Sequence, residues 1–197
     1  MMKDRFIIMI YGPSGAGKTT MGREISTRLD IPFIGRDAIK EILFDDLGWS
    51  DREWCYKLGR ASYSLLYFFT EKLLSTGRTF IIESNFIKEN IKDMCKKYNY
   101  KLILIKCYAD KEILFERAIK RDESGERHPG HIYPTNYSEY KNMLIENYDE
   151  SIYDPIEEPY ITEANWNIIK VDTTSFSNEI YDSIISRIVK ISNEDGV

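Results

Sequence analysis

The stretch GPSGAGKTT, residues 12–20, combines residue types and a spacing suited to one chemistry, the holding of phosphate. Gly12, Gly17, Lys18 and Thr19 satisfy G-x-x-x-x-G-K-[ST], a pattern that makes a phosphate cradle when it follows a strand and opens a helix. Gly12, Pro13, Ser14, Gly15, Ala16, Gly17, Lys18, Thr19 and Thr20 are therefore the expected nucleotide-binding set. Glycines let backbone N–H groups close on the anion, and the helix start presents its positive dipole end to the same charge. Lys18 is expected to reach the β- and γ-phosphates of a nucleoside triphosphate, and the Thr19 hydroxyl to ligate Mg²⁺.

Other residues could act on that phosphate. Asp37 follows the short apolar run Pro32–Ile34 and sits where a carboxylate could take a proton from an acceptor hydroxyl; preceding a helical stretch, it could equally cap that helix. Glu83, with Ser84 and Asn85, ends another apolar run and could hold Mg²⁺ or orient the acceptor. Arg117 and Arg121 lie four apart on one helical face and Arg127 follows, a trio able to neutralise a transferring phosphoryl group or merely to pair with Asp122, Glu123 or Glu126. His128 and His131 alone make a poor zinc site. No NKxD element supports a GTPase. Asp45-Asp46-Leu47-Gly48 ends a helical stretch and is set aside as a switch motif, and Glu83-Ser84-Asn85 is not the acidic pair of a mechanical ATPase.

These residues need a scaffold, and the chain supplies alternating elements. Short apolar runs at Phe6–Tyr11, Pro32–Ile34, Thr79–Ile82, Leu102–Tyr108 and Trp166–Val171 read as buried strands. Between them lie helical patterns, clearest in Trp54, Leu58, Ala61, Leu65, Phe69 and Leu73, and a final one in Ile180, Ile184, Ile188 and Ile191. Strand alternating with helix implies an α/β fold, a parallel sheet covered on both faces. The segment Asp122–Tyr137, with Gly125, Pro129, Gly130 and Pro134, breaks the rhythm and reads as a lid or as a plain surface loop, while Asn193–Val197 reads as a frayed tail.

Composition narrows the class further. At roughly 150 residues per domain, 197 residues suggest a single domain spanning 1–197. Hydrophobic residues at 43% and charged residues at 30% fit neither a disordered chain nor a membrane-embedded one. With 27 basic against 32 acidic residues the net charge is −5, so any nucleic acid would have to be gripped locally, for instance by Lys88, Lys92, Lys96 and Lys97. Cys55, Cys95 and Cys107 form no CxxC pair and read as small buried hydrophobes in a reducing, cytoplasmic setting. No run is long enough to span a membrane.

Taken together, the residues resemble the P-loop kinase superfamily, in the nucleoside-monophosphate-kinase-like branch with polynucleotide 5′-kinase, zeta toxins, and chloramphenicol and shikimate kinases. GPSGAGKTT, GRDAIKE around Asp37 and FIIESNF around Glu83 carry the likeness, and the RHPGH segment 127–131 is similar to one in bacterial AAA-family ATP-binding proteins. The resemblance implies a three-layer α/β/α P-loop NTPase fold, a five-stranded parallel sheet ordered 2-3-1-4-5, a lid, and adenine held near Asp172, Thr173 and Thr174. Residues and resemblance together lead to the expectation of an ATP- and Mg²⁺-dependent phosphotransferase acting on a hydroxyl of a small molecule or nucleotide, with a polynucleotide 5′-kinase or a non-catalytic ATP-binding regulatory module as the alternatives. Glu83 stands where polynucleotide kinases carry Asp, so acceptor identity does not transfer.

Overall fold

Strand β1, Phe6–Tyr11, is six apolar residues in succession, all essentially inaccessible to water. Such a run suits only the centre of a sheet covered on both faces. The computed structural model describes residues 5–87, 90–132, 149 and 167–193. In chain order follow α1 (Lys18–Leu29), β2 (Phe33–Gly35), α2 (Arg36–Leu47), α3 (Arg52–Ser75), β3 (Phe80–Glu83), α4 (Asn90–Tyr98), β4 (Lys101–Tyr108), α5 (Lys111–Glu123), α6 (Pro129–Ile132), β5 (Asn167–Asp172) and α7 (Asn178–Asn193).

The strands form one parallel five-stranded sheet ordered β2-β3-β1-β4-β5, in the three-layer α/β/α arrangement of a P-loop NTPase. Because side chains alternate along β1, Phe6, Ile8 and Ile10 join one core with Met21, Ile25, Ile184 and Ile188, while Ile7, Met9 and Tyr11 join the other with Leu66, Leu74 and Ile91. Each fully buried aliphatic side chain contributes roughly 1.5–3 kcal/mol, so both faces of the strand are strongly anchored. The carboxyl ends of all five strands share one edge, where Gly35 lies level with Glu83 and Tyr108 with Asp172. Ligands bind in this crevice in open α/β sheets.

The strands lie within a residue of their expected bounds; Trp166 falls outside the described residues, as do 133–137 of the expected lid and the tail beyond 193. Helix α3 requires a correction. Its buried positions are Leu58, Ser62, Leu66, Tyr67, Thr70 and Leu74, so that beyond Leu58 the stripe runs one residue round from the expected one, and Phe69 is exposed. Two hydroxyls hide on that face because each satisfies itself locally: Ser62 Oγ donates to the Gly59 carbonyl at 2.7 Å and Thr70 Oγ1 to the Leu66 carbonyl at 2.8 Å. The cysteines also divide. Cys95 and Cys107 are buried, their thiol pKa values pushed up to about 12 by burial, whereas Cys55 is only half-buried. Among the described residues no helix is long and apolar enough to cross a membrane, and no cluster of three or more His, Cys, Asp or Glu could hold a metal ion.

Candidate active site

The loop between β1 and α1 is shaped by contacts that a side chain would destroy. Gly12 has φ +135°, and a Cβ there would lie 2.1 Å from the Cys107 carbonyl oxygen of β4. Gly15 passes as closely over α5, where a Cβ would meet the Leu114 carbonyl oxygen at 2.6 Å. These are backbone neighbours that cannot swing aside, so glycine is the residue that fits. The Gly12 N–H donates to the Asn85 carbonyl at 3.2 Å and the Ser84 N–H to the Ile10 carbonyl at 3.1 Å, tying the loop to the end of β3.

Within this cradle Lys18 is buried and its Nζ donates to the Pro13 carbonyl at 2.8 Å. Burial drives the Lys18 pKa down, opposed chiefly by the negative charge of Glu83 and then of Asp37. Glu83, 3% exposed, feels the mirror effect: burial raises its pKa and Lys18 holds it down. Thr19 Oγ1 donates to Glu83 Oε2 at 3.2 Å, so the two residues expected to serve a metal are neighbours. One hydroxyl and one carboxylate suit Mg²⁺, which prefers oxygen ligands, takes few from protein and shares the rest with phosphates and water.

Asp37 occupies the first turn of α2, with Gly35 at the cap position and no side-chain cap, so the capping role is not the one the fold uses. Its carboxylate pairs with the Arg36 guanidinium, which itself lies 4.9 Å over the Tyr63 ring. Burial would raise the Asp37 pKa, but Arg36 above all, with His131 and then Lys18 acting in the same direction, outweighs it and holds the carboxyl well below the usual range. Asp37 is therefore ionised at neutral pH.

The three arginines part company. Arg121 Nη2 donates to Ser14 Oγ at 3.0 Å, placing its head at the loop tip, and its buried Nε has no hydrogen-bond partner. Arg117, one turn earlier on α5, turns the other way: Nη2 donates to the carbonyls of Thr173 (2.8 Å) and Thr174 (3.0 Å), and the guanidinium lies 5.5 Å over the Phe176 ring. Arg127 pairs with Asp122 at 2.5 Å and lines the cleft from the α6 side. Thr173 needs relocating. Its hydroxyl donates to backbone carbonyls, at 2.9 Å to Tyr108 and 3.1 Å to Ala16, and it is fully buried behind the phosphate loop rather than in the cleft.

Segment 127–131 closes the cleft against α2. Phe44 stacks on His128 with ring centroids 5.1 Å apart and meets His131 edge-on at 5.2 Å. A Cβ on Gly130 would lie 2.7 Å from the Phe44 ring, so glycine permits the approach. His128 Nδ1 accepts the Gly130 N–H at 2.9 Å, which leaves Nε2 to donate to Asp45 at 3.1 Å. Cys55 bridges the same junction, accepting from Lys40 Nζ at 3.2 Å and donating to the Gly130 carbonyl at 3.6 Å.

The resulting cleft of about 770 Å³ is lined on one side by Ser14, Gly15, Lys18, Thr19, Arg121 and Phe176 and on the other by Asp37, Glu41, Glu126, Arg127 and His131. It fits a nucleoside triphosphate with Mg²⁺ on its own features: a backbone cradle that Cβ atoms would fill, and buried, unpartnered N–H groups on Arg117 and Arg121. Sequence reasoning missed Phe176, which covers Gly17, and Glu41, and weighed His131 only as a zinc ligand although it lines the cleft. Glu41 could have been found, since it lies four residues beyond Asp37 in one helix. Phe176 carries no local signal.

No curated protein matches the chain. Among solved structures, a candidate kinase from Chloroflexus aurantiacus is similar at 28% identity and TM-score 0.79, covering 95% of this chain and 98% of that one. Shikimate kinase from Bacteroides thetaiotaomicron, at 18% identity and TM-score 0.53, covers 94% of this chain and 97% of its own. A gluconokinase from Sinorhizobium meliloti, at 18% identity and TM-score 0.51, covers 95% of each. The last two show the fold alone. The family model described as the AAA domain matches residues 7–131, from β1 through the phosphate loop to α6, and the chain belongs to that family of P-loop NTPases.

Proposed function

We propose that the protein is an ATP- and Mg²⁺-dependent kinase that transfers the γ-phosphoryl group to a hydroxyl of a small molecule. The observation that carries this reading is Asp37: an ionised carboxylate lining the same cleft as Lys18, Thr19, Glu83 and Arg121. A protein that only senses ATP has no need of a base at that position.

Each residue then has a task. The loop from Gly12 to Thr20 and Lys18 hold the triphosphate, and Thr19 and Glu83 serve Mg²⁺, which screens the phosphate charge when bound. Arg117 and Phe176 offer a flat cationic and aromatic surface to the base. Asp37 takes the acceptor's proton as its oxygen bonds to the γ-phosphorus; the bond to the β,γ-bridging oxygen breaks and ADP leaves. Arg121, already at the loop tip, stabilises charge on the transferring group, and Arg127 holds the α6 wall. Acceptor-dependent ADP release tests the reading: ATP binding without any acceptor-stimulated turnover would sink it.

A nucleic-acid end kinase is less well supported. Lys97 is paired with Glu71 at 2.7 Å, and the acceptor side of the cleft carries more acid than base.

A further inference from the structure

The cleft is electrically divided. Its phosphate half carries Lys18, Arg23, Arg117 and Arg121 against the single carboxylate of Glu83, whereas the opposite half presents Asp37, Glu41 and Glu126 against Arg127, which is already paired with Asp122. Asp37 and Glu41 are four apart on α2 and so share one helical face. The charge of Asp37 is met by Arg36. Glu41 has a different neighbour: His131 Nε2 lies 3.2 Å from Glu41 Oε1, yet Nε2 makes no hydrogen bond. The His131 side chain is 4% exposed and lines the cleft, and burial, aided by the positive charges of Arg127 and Lys40, keeps its pKa at about 3. The imidazole is therefore neutral and does not neutralise Glu41. The Glu41 carboxylate, beside this buried neutral imidazole, offers an anionic acceptor that a ligand N–H group can reach from the cleft.

An anionic acceptor would bring its charge beside Asp37 and Glu41, whereas an ammonium relieves their mutual repulsion. We propose that the acceptor is an amine-bearing hydroxyl compound, an amino alcohol or amino sugar, whose ammonium is held by Glu41 beside His131 while its hydroxyl faces Asp37. This inference rests on the kinase reading and names its acceptor class.

The test separates the two. A small-molecule cell extract, resolved at pH 7 into cationic, neutral and anionic fractions, is added to the full chain with ATP and Mg²⁺, and ADP release is followed. Stimulation is expected in the cationic fraction, falling at least about tenfold once its amines are N-acetylated. With the active component of that fraction, Glu41→Gln is expected to raise KM by about tenfold and leave kcat within about threefold, since one ion pair of this kind is worth roughly a factor of ten. Glu41 is 42% exposed at its side chain, so the variant has little reason to misfold. Stimulation in the neutral or anionic fraction, survival of activity after acetylation, or an unchanged KM in Glu41→Gln would overturn the acceptor class while leaving the kinase reading intact. No stimulation by any fraction, in a protein that binds ATP, would overturn both.

Discussion

The two walls of the cleft are fixed by different means. Around the phosphate loop the constraints are backbone on backbone: Gly12 against the Cys107 carbonyl, Gly15 against the Leu114 carbonyl, and N–H bonds from Gly12 and Ser84 that stitch the loop to β1 and β3. On the α2–α6 wall they are side chain on side chain: Phe44 between two imidazoles, His128 on Asp45, Arg127 on Asp122 and Cys55 between Lys40 and Gly130. A backbone cradle accepts one chemistry, phosphate, and tolerates little variation. A wall of side chains can be retuned residue by residue, which is where an enzyme family would vary its acceptor.

The most damaging way to probe the difference is to change one residue on each wall. Asp37→Asn should lower kcat by about 10² to 10⁴-fold while ATP affinity holds, because an amide keeps the shape but cannot take the proton. Because the amide also removes the charge that pairs with Arg36, the unfolding midpoint of the variant should fall moderately; a large loss of stability with full activity would make Asp37 structural. On the other wall, Gly12→Ala should cost on the order of 3 kcal/mol or more in denaturant unfolding, since a Cβ 2.1 Å from a carbonyl oxygen at φ +135° has nowhere to go. An alanine variant of ordinary stability would show that the loop is more pliable than its contacts imply.

Arg117 and Arg121 sharpen the comparison because they sit one turn apart on α5 and face different parts of the cleft. Arg121→Ala is expected to lower kcat by about 10² to 10³-fold with a smaller change in ATP affinity, as removal of a group that stabilises transition-state charge does. Arg117→Ala should instead raise the KM for ATP by about tenfold and leave kcat nearly unchanged, the signature of lost ground-state binding. Steady-state kinetics on both variants decides this, and matching profiles would mean that the arginines act as one clamp.

The same contrast explains what could be read from the sequence. The phosphate loop was legible because its function is local: nine consecutive residues carry it, flanked by a strand of unbroken apolar letters. Strand order followed from the resemblance, and β1 from its apolar run. The buried face of α3 was misplaced because Ser62 and Thr70 look polar in a list yet satisfy their hydroxyls within the helix. Thr173 is expected near the nucleotide from the resemblance alone, and which side of the loop its hydroxyl faces depends on Tyr108 and Ala16, far away in the chain. The α2–α6 wall was the least legible, since Glu41 and His131 are ninety residues apart and meet only because Phe44 and Gly130 let α6 settle on α2.

The smallest expected effect comes from that settling, and it is a pH dependence. His131 is held neutral in the folded protein, with a pKa of about 3, against an ordinary value near 6.5 in the unfolded chain. Between these values the unfolded state binds a proton that the folded state refuses, so the His131 contribution is constant above pH 6.5 and declines as the pH falls toward 3, by at most about 1.4 kcal/mol per pH unit. Glu41 and Glu83, whose pKa values are raised on folding, act in the opposite sense: protonation favours the folded state as the pH falls through their raised values toward the ordinary carboxylate range, and the gain is complete below it. Asp37 loses its contribution only at pH values below the ordinary carboxylate range. The pH 5–6.5 window therefore isolates the histidine from Asp37 and leaves the glutamates pulling against it. Chemical denaturation of the parent and of His131→Gln across that window should give curves that converge as the pH falls, because the glutamine variant has no imidazole to protonate. Parallel curves would mean that His131 takes up its proton in the folded state as readily as in the unfolded one, and that the α6 wall is open to water.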